Sequence, residues 1–393
     1  MPAIPVSQIP LEGKKALVRC DFNVPLDNGR IADSSRIDSS LDTIRYILGH
    51  GGAAVLCSHL GRPKERTPEL SLKPVAEYLS NALGKKVALA PDCIGEFSGH
   101  MVNDLALGEA LLLENLRFHR EEEANDRDFS HELARGKQVY VNDAFGTAHR
   151  AHASTVGVTR FLRERAAGFL MLRELDALGA VTNNPAHPYI LILGGAKVSD
   201  KIGVIKTMLT MVELVLIGGA MAYTFMKARG LPVGNSRIEE DKVDLARELF
   251  AIAAQRHVPF VLPLDHIVAA TPAPEAAVQT ATSIPADKMG LDIGPRTIDE
   301  FIERVSAART IVWNGPLGFF EIPAFAQGTL KVGEAVANLS GVTSLIGGGD
   351  TAAAFVNQPW ANKFTHISTG GGAILEYLEG IELPGVKALE DGG

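Results

Sequence analysis

Four glycine-rich turns follow apolar runs in this chain, and several carry residues suited to handling phosphate. Gly347-Gly348-Gly349-Asp350-Thr351 follows the run 342–346 and opens a stretch of small helix formers, Ala352-Ala353-Ala354-Phe355. A strand that ends in glycines and turns into a helix exposes backbone N–H groups at a partly positive terminus, where phosphate binds. Asp350 adds a carboxylate of the kind that holds a phosphate-bound Mg²⁺. On this segment alone, a tight corner that merely requires glycine explains the pattern as well. The segment is not alone. Ser368-Thr369-Gly370-Gly371-Gly372 follows the run 364–367, Gly194-Gly195-Ala196-Lys197 follows 189–193, and Gly218-Gly219-Ala220 follows 214–217. Several strands of one parallel sheet aiming their carboxyl ends at a phosphate-rich ligand would produce this repetition.

Lys197 and Lys201 follow the Gly194-Gly195 turn at a one-turn spacing, which predicts that both project from one face of a helix. Lysine beside a phosphate cradle neutralises the charge that builds on a transferring phosphoryl group. Asn314-Gly315-Pro316 and Glu321 follow the run 310–313, and Glu321 is suited to ribose hydroxyls or to a plain solvated surface. The common nucleotide motifs are absent. There is no GxxxxGK[ST] and no protein-kinase set. Gly347-x-Gly349-x-x-Ala352 meets the loose dinucleotide pattern, but the acidic residue expected about 20 positions on is replaced by Ser368–Gly372 glycines.

The first half carries different chemistry. Arg19-Cys20-Asp21-Phe22-Asn23 ends one apolar run and Ser58-His59-Leu60-Gly61-Arg62-Pro63 ends another. Glu114-Asn115-Leu116-Arg117-Phe118-His119 follows a third run. Asn142-Asp143-Ala144-Phe145-Gly146 follows a fourth and leads into His149-Arg150-Ala151-His152. Arg36, after Ser34-Ser35, falls in the expected first turn of a helix. Any one arginine here reads as a solvated charge. Five at strand exits, Arg19, Arg36, Arg62, Arg117 and Arg150, read as a receptor for a small polyanion, because guanidinium forks phosphate and carboxylate and keeps its charge. Asp21 and Asn23 suit substrate hydroxyls or turn capping. His119 and His149 have no metal-ligand spacing and read as structural.

These residues need a scaffold that brings strand exits together. Eleven continuous apolar runs, at 16–18, 53–57, 87–90, 110–113, 139–141, 189–193, 214–217, 259–262, 310–313, 343–346 and 364–367, predict strands buried on both faces of parallel sheets. Helix-period stripes lie between them, such as Leu41, Ile44, Ile47 and Leu48, or Val75, Tyr78, Leu79 and Leu83. This is an α/β pattern. Eleven strands are many for one open sheet, and the change from charged to glycine-rich exits suggests two domains. Residues 165–178 read as a helix joining them, ended by Thr182-Asn183-Asn184-Pro185. The last residues read as an extended or frayed tail.

Composition agrees. The 393 residues are 46% hydrophobic and 21% charged, with a net charge of −8, which argues against a general nucleic-acid binder. Three cysteines, Cys20, Cys57 and Cys93, without CxxC spacing argue against a disulfide framework or zinc site. No signal peptide or membrane-spanning run is evident. The expectation is a cytosolic enzyme without nucleic-acid or membrane partners.

Val18-Arg19-Cys20-Asp21-Phe22-Asn23-Val24-Pro25 resembles the signature of the phosphoglycerate kinase family. So do 58–63, 114–119, 142–152, 193–201, 313–321, 347–351 and 368–372, in the family's order over nearly the whole chain. The resemblance implies two Rossmann-like domains with parallel sheets, joined by a hinge helix, with the active site in the cleft between them. The domains would span 1–170 and 171–379, with the tail 380–393 packing back on the first. It implies reversible phosphoryl transfer between 1,3-bisphosphoglycerate and MgADP, giving 3-phosphoglycerate and MgATP, by a monomer. Asp21, Phe22, Asn23, Arg36, His59 and Leu60, with Gly61, Arg62, Arg117 and Arg150, would bind the phosphoglycerate. Gly195, Ala196, Lys197, Lys201, Gly218 and Gly219 would meet the nucleotide, as would Asn314, Glu321, Gly348, Gly349, Asp350 and Thr351. Asp350 would hold Mg²⁺. Arg36, Lys197, Gly371 and Gly372 would stabilise the transferring phosphoryl group. Cys20, Leu317 and Phe319 vary the family motifs with apolar residues.

Two other classes share parts of this pattern. A dinucleotide-dependent oxidoreductase would show a similar sheet and similar glycine turns, but it lacks a use for Lys197, Lys201 and Asp350. A non-catalytic binding protein would need neither Arg36 nor Lys197.

Overall fold

The structure, a computed structural model, describes residues 3–390. The chain separates into two units, Met1–Leu175 with Glu382–Gly393, and Asp176–Ile381. Each is built on its own parallel sheet.

The first unit contains β1 (Lys15–Cys20), β2 (Leu26–Asp27), β3 (Arg30–Ile31), β4 (Ala53–Cys57), β5 (Val87–Leu89), β6 (Ala110–Leu112), β7 (Val139–Asp143) and β8 (Glu164–Ala167). Six of these form one sheet in the order β5-β6-β4-β1-β7-β8, with every pairing parallel. β4 and β7 are buried along their whole length, as continuous apolar runs in a sheet covered on both faces must be. Helix Ser35–Gly49 lays Ile37, Leu41, Ile44 and Ile47 against this sheet. Each such side chain contributes about 2 kcal/mol of transfer free energy. Helix Lys73–Leu83 stops at Gly84, whose φ of 62° is the left-handed conformation that ends a helix without a Cβ penalty.

The second unit contains β9 (Tyr189–Leu193), β10 (Leu214–Ile217), β11 (Phe260–Val261), β12 (His266–Ala269), β13 (Gln279–Ala281), β14 (Met289–Ile293), β15 (Thr310–Asn314), β16 (Thr343–Gly347) and β17 (His366–Ile367). The parallel sheet runs β11-β10-β9-β15-β16-β17. Trp313, Phe355 and Trp360 anchor its core, with ring centroids 5.2 and 5.3 Å apart.

All eleven apolar runs correspond to parallel strands, and three readings need correction. The segment read as a joining helix from residue 165 begins with a strand: Glu164–Ala167 is β8, paired with β7, and the helix runs Phe169–Thr182. That helix crosses from one unit into the other. The end of the chain is not extended: Pro384–Glu390 is a helix, while Asp391, Gly392 and Gly393 lie outside the described residues. Gly385 packs on Ala148, donating its N–H to the Ala148 carbonyl at 2.8 Å, and Arg165 Nη1 reaches the Ala388 carbonyl at 3.0 Å. Finally, an antiparallel sheet in the order β13-β12-β14 went unread. Among the described residues no helix is long and apolar enough to cross a membrane.

Candidate active site

In the first unit the parallel register puts the carboxyl ends of β1 and β4 side by side, with Arg19 opposite Cys57. Side-chain to main-chain bonds then lock the two exits. Phe22 N–H donates to Ser58 Oγ at 2.8 Å, and Gly61 N–H donates to Asn23 Oδ1 at 2.8 Å. Arg117 Nη1 donates to the Gly61 carbonyl at 2.8 Å, so the Gly61 turn is gripped from both sides. Asn115 donates to the carbonyls of Leu60 and Leu70 at 2.8 and 2.9 Å, fixing the base of the same turn. Asn23 therefore braces this turn.

Arg36, in the first turn of helix Ser35–Gly49, donates through Nη1 to Asp21 Oδ2 at 2.7 Å. Asp21 is buried and Arg36 about one-third exposed. Arg62 and Arg150 are exposed. Arg117 also pairs with Glu123 at 3.1 Å. Burial, with the neighbouring charges of Arg19, Arg117 and Arg36, holds His59 well below the usual imidazole range. Burial and the same arginines, Arg19 and Arg117, push His152 down to about 4. These couplings place His59, His152, Arg36 and Arg117 in one cationic neighbourhood. The exception among the five arginines is Arg19. It is 1% exposed, and its Nε donates to Ser154 Oγ at 2.9 Å.

His119 pairs with Asp92 at 2.6 Å, and that hydrogen bond raises its pKa. Cys93 adds a third donor within 4.8 Å. The Asp92 carboxylate is taken up by His119, by Arg66 at 3.3 Å and by the Cys93 N–H at 2.7 Å, so the group reads as a polar tie. All three cysteines are free and buried.

In the second unit the exits of β9, β10 and β15 meet backbone to backbone. Gly195 N–H donates to the Pro316 carbonyl at 2.7 Å, Gly219 N–H to the Leu317 carbonyl at 2.9 Å, and Met221 N–H to the Gly195 carbonyl at 3.0 Å. A Cβ on Gly194 would lie 2.1 Å from the Pro316 oxygen, and one on Gly219 would lie 2.5 Å from the Gly195 nitrogen. Close packing, as well as ligand access, demands these glycines. Gly218 is buried against Leu317. Gly315 N–H donates to Thr351 Oγ1 at 2.8 Å, which ties the β15 exit to helix Gly349–Phe355 and fixes Asp350 in its first turn. Asn314 is buried with Nδ2 unpartnered, beside Gly347 and Gly348.

A cavity of about 370 Å³ opens over this junction. Gly195, Ala196, Gly219, Glu321 and Asp350 line it. So do Phe319, already noted as a departure from the family motif, and residues that sequence reasoning missed, among them Tyr223, Arg237, Met289 and Gly290. Met289 and Gly290 come from β14 in the unread sheet, and nothing in their local pattern marks a ligand. Lys197 and Lys201 do not share a helix face. The loop turns through a short 3-10 segment, Ser199–Lys201, before helix Ile202–Met208, leaving Lys197 exposed and Lys201 buried. Glu239 braces this loop by accepting from Val198 N–H at 2.5 Å and Ser199 Oγ at 2.6 Å. Burial pulls the Lys201 pKa down, opposed by Asp200 and Asp350. Gly371 has a φ of 52° and precedes helix Gly372–Leu378.

One unit thus presents a cationic edge, and the other a glycine-walled cavity lined by the exposed carboxylates of Glu321 and Asp350. Each feature fits an α/β phosphotransferase. The phosphoglycerate kinase family profile matches residues 6–381. The phosphoglycerate kinase of Koribacter versatilis is 53% identical over 99% of both chains, and that of Dictyoglomus turgidum 51% identical over 97% of this chain and 96% of the other. The solved structure of phosphoglycerate kinase from Coxiella burnetii superposes with a TM-score of 0.88 at 37% identity, covering 99% of each chain. The chain belongs to the phosphoglycerate kinase family.

Proposed function

We infer that the chain acts as a phosphoglycerate kinase, passing a phosphoryl group reversibly between 1,3-bisphosphoglycerate and ADP in glycolysis and gluconeogenesis. The observation that carries this reading is family membership over residues 6–381, in a chain that keeps both the cationic edge and the glycine-walled cavity. In this reading Asp21, Asn23, His59, Arg62, Arg117 and Arg150 hold the phosphoglycerate, and Phe22, Leu60 and Gly61 shape the turn beneath it. The nucleotide lies in the cavity, with Glu321 toward its ribose and Lys201 toward its phosphates. Gly218 and Gly219 form the floor, supported by Asn314, Gly348, Gly349 and Thr351.

Asp350 fits a Mg²⁺ ion. It is an exposed hard oxygen donor on the cavity wall, and Mg²⁺ accompanying nucleotide phosphates takes one or two carboxylates. The ion would neutralise phosphate charge and orient the nucleotide. Arg36, Lys197 and the N–H groups around Gly371 and Gly372 would stabilise the transferring phosphoryl group. Phosphoryl transfer needs positioning and charge compensation with little covalent work by the protein. Helix Phe169–Thr182 would act as the hinge, and closure of a cleft between the units would exclude water and suppress ATP hydrolysis. A cytoplasmic monomer without nucleic-acid or membrane partners completes the reading.

Phosphorus NMR of the protein with MgATP, 3-phosphoglycerate and a trap for the acyl phosphate tests it. ADP formation that requires the acceptor is the expected result. Intact ATP in the presence of the trap would overturn the assignment.

A further inference from the structure

His59 stands at the cationic edge, but its hydrogen-bond partner lies behind it. Arg19 Nη2 is 3.1 Å from His59 Nδ1, with both residues buried. A guanidinium has five donors, no acceptor, and keeps its proton. The imidazole Nδ1 must therefore accept, and the ring proton must sit on Nε2. Arg19 is itself held on two further sides. Its Nε donates to Ser154 Oγ at 2.9 Å and its Nη1 donates to the Cys20 carbonyl. The Ser154 hydroxyl, having accepted from Arg19, donates onward to Glu122 Oε1 at 2.5 Å, and Ser154 N–H donates to Glu122 Oε2 at 2.9 Å. Glu122 is 1% exposed, and Arg19 is the buried cation nearest in this chain of bonds. Arg19 thus donates on both sides, to His59 and to Ser154, which donates in turn to Glu122.

We propose that Arg19 is a positioning residue that fixes His59 as the neutral Nε2–H tautomer, and that Ser154 and Glu122 anchor Arg19 in the orientation this requires. The role of His59 toward an oxyanion rests on the phosphoglycerate-site reading above. Locked in this way, His59 offers a neutral N–H donor to a phosphate or carboxylate oxygen without adding another cation beside Arg36 and Arg117. A protonated ring would need Nδ1 to give up the Arg19 bond and face that guanidinium with a second N–H. Burial disfavours protonation of His59 most, and the charged or titratable groups near it, Arg19, Arg117, Arg36 and His152, add to that.

Long-range ¹H–¹⁵N correlation on the ligand-free protein reads the tautomer directly. The expected His59 pattern is one pyrrole-like Nε2 and one pyridine-like Nδ1, unchanged from about pH 5 to about pH 8, where an ordinary histidine titrates. A protonated Nδ1, or ordinary titration, would overturn the proposal. The paired variant Arg19→Met/Glu122→Gln removes the guanidinium without stranding a buried carboxylate. It should show mixed tautomers and a KM for 3-phosphoglycerate raised about tenfold, with a smaller change in kcat. A single Nε2–H tautomer and an unchanged KM in that variant would also overturn it. Should that variant not fold, Ser154→Ala keeps the donor and loosens only its anchor, and it should show partial tautomer mixing. A pure Nε2–H ring there would remove Ser154 and Glu122 from the assignment. Saturating 3-phosphoglycerate should shift the Nε2 signal. An unmoved signal would overturn the site reading and the ligand-facing role of His59, while leaving the tautomer assignment intact.

Discussion

Arg36 and Asp21, fifteen residues apart in the chain, meet at 2.7 Å across the exit of β1. The carboxylate is nearly buried and the guanidinium is not, so Asp21 is the fixed partner and Arg36 the one with a free side. A preorganised cation of this kind aids a transition state because it need not reorganise as charge develops.

Arg36→Ala should lower turnover about 100- to 1,000-fold. The loss of folding stability should be about 2–3 kcal/mol, because the buried Asp21 carboxylate is left without its cation although the arginine itself is partly solvated. Steady-state kinetics beside denaturant unfolding checks both. Near-normal turnover would remove Arg36 from the chemistry.

Asp350→Asn keeps the shape of the side chain and removes its charge. The Mg²⁺ concentration giving half-maximal activity should rise on the order of tenfold or more, while 3-phosphoglycerate binding, followed by calorimetry without nucleotide, should not change. An unaltered Mg²⁺ midpoint would place the ion elsewhere.

Asp143 predicts a pH effect on stability. Burial pushes its carboxyl up to about 7, against the N–H groups of Leu170 and Met171 that donate to Oδ1 at 2.9 and 3.2 Å. The folded pKa lies above the unfolded value, so the native state holds the proton to higher pH. This group's stabilising effect is fully present below about pH 4 and is lost as pH rises toward about 7. Asp143→Asn keeps an acceptor for both N–H groups and does not titrate. It should flatten the fall in stability across that window, by on the order of 3 kcal/mol at neutral pH. Urea midpoints at several pH values test this, and parallel curves for the two proteins would refute it.

Gly194→Ala should destabilise the fold by about 2 kcal/mol, since the new methyl meets the backbone oxygen of Pro316 at 2.1 Å, where no flexible side chain can yield. Thermal unfolding measures the loss. An unshifted midpoint would mean that the three loops relax together.

The parallel sheets were legible because central strands are apolar on both faces, as in Tyr189–Leu193 and Ala53–Cys57. β8 was not, because Glu164-Arg165-Ala166-Ala167 sits at a sheet edge, where only half the strand is buried and helix-forming residues are tolerated. β13 is exposed or half-buried throughout, so it carries no apolar signal. The β2–β3 hairpin did have one: Asn28-Gly29 with φ of 48° and 75°, the pair favoured in tight hairpin turns. Among candidate site residues, the placement of arginines and glycines at strand exits was legible because motif and strand end coincide. Arg19 had the right type and position but the wrong direction, which only the partners Ser154 and Glu122 reveal. The Lys197–Lys201 spacing suggested one helix face, but the backbone turns between them.

Helix Pro384–Glu390 seats Gly385 on Ala148 and carries Ala388 to Arg165. The first unit is therefore finished by the last described residues of the chain, with the whole of Asp176–Ile381 interposed. Expressed alone, residues 1–175 would therefore lack the helix whose Gly385 N–H meets the Ala148 carbonyl.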